Sequence, residues 1–142
     1  MELVNRISKE NIREFVLAGN SLFTLQSGNT NKHYTYRIVR CKDKENLYFV
    51  NRLSNTDNEA DYQYIGSFYD DNDYFYPTAK YRKLDRLSWP TSLRTIAYFL
   101  DKLDDMPDNL YVFHHGRCAR CGRLLTTPES IQRGLGPECS RK

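Results

Sequence analysis

Long apolar runs are missing from this 142-residue chain: nowhere do 18 or more apolar residues follow one another, so no segment reads as a membrane-spanning helix. The opening MELVNRISKE has an acid at position 2 and no apolar stretch leading to a small-residue cleavage site, so no secretory signal is expected. Internal repeats and low-complexity linkers are missing too, as are the P-loop, G-x-S-x-G and H-E-x-x-H patterns that announce common chemistries. Between Leu53 and Ala79 there is no Lys or Arg, although Asp57, Glu59, Asp61, Asp70, Asp71 and Asp73 all fall there. The net charge of +3 therefore hides an uneven layout, with +4 in residues 111–142 and an acidic middle.

What is present suits one α+β domain with a small appended module. Apolar residues make up 39% and aromatics 13%, enough for a single core, and a division into residues 1–110 and 111–142 is expected. Ser8 is placed to cap a short helix carrying Ile12, Phe15 and Val16 on one side, with Gly19 as its stop. From Ser21 the period becomes two: Phe23 and Leu25, the turn Ser27-Gly28-Asn29, then Tyr34, Tyr36 and Ile38 predict a hairpin. Further strands are expected over Leu47–Val50 and Tyr62–Phe68, giving a small antiparallel sheet of about four strands, with the polar loop SNTDNEAD between them. The Tyr-rich, charged segment DYFYPTAKYRKLDR reads as a connection. An amphipathic helix over 92–104 follows Pro90, with Leu93, Ile96, Ala97, Leu100 and Leu103 on its stripe, and a short apolar strand over Leu110–Phe113 leads to the C-terminal module.

Three of the four cysteines lie between positions 118 and 139, which in a chain without an export signal favours metal binding over disulfides, in a reducing cytoplasm. Cys118 and Cys121 have knuckle spacing, followed at once by Gly122, so that backbone N–H groups of the turn can point at both sulfurs. Cys139 supplies a third sulfur, returned by a short helix that starts near Pro128 and Glu129 and ends at Gly134. A closed tetrahedral zinc site needs a fourth ligand. His114 fits best, giving H-x3-C-x2-C-x17-C, with His115 and the distant Cys41 as alternatives. The metal is expected to be structural Zn2+: a catalytic zinc keeps one position open and, in deaminase-type sites, has an H-x-E base that neither histidine possesses. Glu129 reads as a helix-capping acid and Glu138 as a solvated neighbour of Cys139, so no catalytic residues are assigned.

The run CARCGRLLTTPESIQRGLGPEC, from Cys118 to Cys139, closely resembles an uncharacterised zinc-knuckle family, a domain of unknown function common at the C-termini of bacteriophage and mobile-element proteins. The stretch from about Ser21 to Phe68 is weakly similar to the sheet region that often precedes it. The resemblance implies metal binding through Cys118, Cys121 and Cys139, no established reaction, and a bacterial host cell as the setting. Zinc-containing phage proteins of this size include anti-CRISPR inhibitors that bind Cas9, and the chain is similar to a candidate of that kind.

Two binding surfaces follow from these readings. In the first, which is preferred, a monomer acts as an inhibitor through the acidic and aromatic stretch, with Asp70, Asp71, Asp73, Tyr74 and Tyr76 meeting a protein target such as a Cas9-type nuclease. In the second, an accessory protein binds nucleic acid through Arg117, Arg120, Arg123 and Arg133 around the knuckle, with Tyr34 and Tyr36 offered as stacking rings. A purely structural role, as an assembly or virion accessory protein, is a third expectation.

Overall fold

Alternating large and polar residues organise the strands. The computed structural model describes residues 5–53, 62–125 and 128–136. The segments Asn20–Ser27 (β1), His33–Arg40 (β2), Leu47–Leu53 (β3), Tyr62–Tyr69 (β4), Tyr74–Pro77 (β5) and Leu110–His114 (β6) form one antiparallel sheet in the order β5-β4-β3-β2-β1-β6. The first five strands form a meander, and β6 closes the sheet by pairing with β1, Leu25 opposite Val112. Among the described residues the sheet thus has six strands where about four are expected. The segment read as a connection contains β5, joined to β4 by the turn at 70–73 in which Asp73 takes a positive φ of 51°. The loop SNTDNEAD expected between β3 and β4 lies outside the described residues.

One face of the sheet is covered. Phe23, Leu25, Tyr36, Ile38, Tyr48, Val50 and Phe68 point into a core closed by two helices, Ile12–Val16 (α1) and Thr91–Asp101 (α3). All three apolar residues expected on α1 are buried, as are Leu93, Ile96, Ala97 and Leu100 of α3. Phe99 joins them, 5.6 Å from the Phe23 ring, and Leu103 is buried just beyond the helix, which ends three residues before the expected boundary at 104. A short helix at Ala79–Arg82 (α2) follows β5. Tyr36, expected as an exposed stacking ring, is instead fully buried, its hydroxyl donating to the Ser92 carbonyl at 2.5 Å. Tyr34 packs half-buried against the same core, because residues two apart share a face. No helix among the described residues is long and apolar enough to cross a membrane.

A β-bulge decides what the opposite face carries. In β4 the register against β3 shifts between Val50 and Asn51: Gly66 pairs with Val50, Tyr64 with Asn51, and Ile65 is the extra residue. Ile65 and Phe68 both turn inward, so Tyr62 and Tyr64 before the bulge and Tyr69 after it share the outer face. Gly66 is required at this point: a Cβ there would sit 2.5 Å from the Tyr76 carbonyl and 2.7 Å from the Phe75 ring. In β5 the alternation puts Tyr74 and Tyr76 outward and Phe75 inward.

Candidate functional site

The C-terminal segment begins as β6 ends. Gly116, at φ +80°, turns the chain into a small hairpin in which Arg117 bridges Leu124, the Cys118 N–H donates to the Arg123 carbonyl at 2.8 Å, and the Leu125 N–H donates to Gly116 at 2.9 Å. Cys118-Ala-Arg-Cys121 forms its tip, closed by the Gly122 N–H on the Cys118 carbonyl at 3.0 Å, with Gly122 itself at φ +80°. The Arg120 N–H points at Cys118 Sγ from 3.4 Å. Burial pushes the Cys118 thiol up, but N–H groups of Gly136, Cys121 and Arg120, together with the Cys121 side chain, outweigh it and bring the thiol down to about 7. The N–H groups thus favour the charged form of this sulfur.

The hairpin is bound to the body of the fold. Pro128–Arg133 (α4) ends at Gly134, φ +74°, whose carbonyl accepts from Ala119, and Cys118, Ala119 and Leu135 join the same core as Ile7 and Phe15. Arg133 pairs with Glu14 of α1 at 2.8 Å. Gly136 returns beside Cys118 Sγ, and the third expected sulfur, Cys139, lies three positions further on, outside the described residues.

The remaining expected ligands occupy separate places. His114 is buried with both ring nitrogens engaged: Nδ1 accepts from the Gly116 N–H at 2.8 Å, and Nε2 lies 2.6 Å from the Ile131 carbonyl, which can only accept, so Nε2 carries the proton. Burial depresses its pKa; the Ile131 bond opposes this and nearby His115 adds to it. To ligate a metal, His114 has to exchange one of these backbone bonds. His115 is exposed, with Nε2 2.9 Å from Thr24 Oγ1, and Cys41 sits half-buried after β2. Among the described residues, no three His, Cys, Asp or Glu side chains gather in a set that could hold a metal.

The acidic turn is internally engaged. Arg13 of α1 reaches it with Nη2 2.8 Å from Asp73 Oδ1 and Nη1 3.0 Å from Oδ2, and also meets Asp104 at 3.1 Å. The hydrogen bond to Asp73 raises the Arg13 pKa against the opposing effect of burial. Asp70 lies 3.3 Å from the Tyr48 hydroxyl, and Asp71 accepts from Asn46 at 3.0 Å. The stretch without Lys or Arg thus receives its cation from α1, a pairing no local pattern reveals. The basic end is partly committed as well: besides the Arg133–Glu14 pair, Arg117 donates to the Gly122 carbonyl at 3.1 Å.

The outer face of the sheet is different. Tyr64, Tyr74 and Tyr76 are 46%, 53% and 40% exposed, and their neighbours Phe49 and Tyr69 are half-buried. The rings are arranged against one another: Tyr74 and Tyr76 centroids lie 4.3 Å apart, Tyr69 meets Tyr76 edge-on at 5.6 Å, and Phe49 meets Tyr64 at 6.1 Å. Arg37 holds its guanidinium 5.0 Å over the Tyr62 ring. None of the six strands contains an Asp or Glu. Of the three strand arginines, Arg40 and Arg52 bond toward the helices, to Leu17 and Ser92, leaving Arg37 to the outer face. The period-two tyrosines were visible in the sequence, but without the bulge they did not resolve onto one face.

Residues 108–142 are similar to a family described only as being of unknown function, DUF6011, a similarity confined to about a quarter of the chain and containing the Cys118–Cys139 run. No curated protein and no solved structure matches the chain.

Proposed function

We propose that the protein acts by binding nucleic acid without catalysing a reaction, and that its C-terminal module is a zinc knuckle with a structural metal. The observation that carries the binding reading is the outer sheet face, where exposed tyrosines and Arg37 stand on strands free of carboxylates. Aromatic faces with a nearby cation, on strands that carry no carboxylate, suit bases and phosphates. The zinc reading is supported by the hairpin tip, where converging N–H groups favour a Cys118 thiolate beside Cys121. Cys139 would be the third ligand and His114 the candidate for the fourth, and the bound ion would fasten the hairpin to the returning chain.

A second reading, an anti-CRISPR inhibitor that contacts a Cas9-type nuclease, draws on Tyr74 and Tyr76 standing exposed at the end of the sheet where Asp71 also lies. It loses part of its footing because Asp73 is already paired with Arg13. Fluorescence anisotropy of labelled nucleic acids titrated with the zinc-loaded protein, at low and at physiological salt, separates the two. Saturable binding that persists at physiological salt is the expected result. No binding at either salt overturns the nucleic-acid reading and makes a Cas9-type nuclease the first partner to test.

A further inference from the structure

We infer that the outer sheet face takes single-stranded nucleic acid, its bases stacking on Tyr64 and on the Tyr74–Tyr76 pair while Arg37 meets the backbone. This rests on the nucleic-acid reading above and specifies which form is bound and where. A duplex hides the faces of its bases, so rings on an open sheet can stack only on bases that are splayed out. Three tyrosines at 40–53% exposure, on two neighbouring strands, provide two such places. Tyr64 is backed by Phe49 and its hydroxyl is 2.6 Å from Ser67 Oγ, so the ring is held before any ligand arrives. Tyr76 is held from two sides, by Tyr69 edge-on and by Tyr74. Rings already fixed lose little freedom on stacking.

The charge pattern selects the occupant. A protein partner with basic side chains would find no carboxylate on the strands, whereas among the described residues a phosphate backbone meets Arg37 and no anion until the Asp71 end of the sheet. With so few cations the electrostatic share is small. The dependence on salt should therefore be shallow, since each phosphate neutralised on a single strand adds only about 0.7 to the slope of log K against log salt. Binding through the arginines of the C-terminal hairpin would give a steep slope instead.

The test uses the full zinc-loaded chain and three labelled probes of about 12 nucleotides, within the span a single binding fold covers: oligo(dT), oligo(rU) and a DNA duplex. Tyr64→Ala and Tyr74→Ala remove exposed rings, Tyr76→Phe keeps its ring but not the hydroxyl, and Arg123→Ala probes the hairpin, each first checked for an unchanged melting temperature. The expected result is that single strands bind at least about tenfold more tightly than the duplex, that each Tyr→Ala change weakens binding by about fivefold or more, and that Tyr76→Phe and Arg123→Ala stay near wild type. Preference for oligo(dT) or oligo(rU) identifies DNA or RNA as the source, and either supports the inference. Duplex preference, or loss at Arg123→Ala with the tyrosine variants unaffected, overturns the sheet-face inference while nucleic-acid binding stands. Absence of binding to all three probes overturns both.

Discussion

Cys121→Ser is expected to release the metal, open the hairpin tip and lower the melting temperature of the whole protein, with the same loss on adding a strong chelator to the wild type. Without a metal, the buried Cys118 sulfur loses the partner its N–H groups prepare it for, and a serine hydroxyl at position 121 is a poor substitute for a thiolate ligand. The effect should spread, because Cys118, Ala119 and Leu135 share a core with Ile7 and Phe15, and Arg133 is paired to α1. Structural zinc in small modules contributes on the order of 10 kcal/mol of apparent folding free energy, so a small change is not expected. Calorimetry together with metal analysis checks this: the wild type should carry one zinc per chain and the variant little. An unchanged melting temperature and zinc content in Cys121→Ser would rule out the structural site.

Gly134→Ala should be strongly destabilising, for two separate reasons. The residue sits at φ +74°, where a side chain costs about 1–2 kcal/mol. Its Cβ would also lie 2.2 and 2.6 Å from two carbons of the Phe15 ring and 3.0 Å from Ile7 Cδ1, an overpacking that adds about 1–3 kcal/mol. Gly116→Ala is the control: it has a similar φ, +80°, but nothing within 4 Å of the added Cβ, so it should show only the backbone part. Denaturant unfolding of the two variants should therefore differ, with Gly134→Ala the less stable by at least about 1 kcal/mol. Equal stabilities would mean that the α4 end does not pack on α1 as described.

Local periodicity made much of this fold legible. The buried faces of α1 and α3, the β1–β2 hairpin and the strands at 47 and 62 all follow from residue spacing, because each repeats a short pattern against a single core. β5 was obscured by the charged residues around it, although Tyr-Phe-Tyr after an Asp-rich turn has the alternation of a strand. The return of β6 to β1 is a pairing across more than 80 residues, and nothing within either strand encodes it. The same holds for Arg13 and Asp73, where the sequence shows an uncompensated acidic stretch and the fold supplies its cation from α1. At the tip of the C-terminal hairpin the Cys-x2-Cys-Gly spacing anticipates the Arg120 N–H turned on Cys118, which lies within the motif, but not the Gly136 N–H that reaches the same sulfur from eighteen residues on. The tyrosine face depended on one inserted residue, Ile65, which reverses the phase of β4.

The most direct test of the sheet-face account is photocrosslinking of a halogenated single-stranded oligonucleotide to the zinc-loaded protein, followed by mass-spectrometric mapping of the attached peptide. Crosslinks at Tyr64, Tyr74 or Tyr76 are the predicted result. Crosslinks confined to residues 117–136, or to the helices on the opposite face, would contradict it.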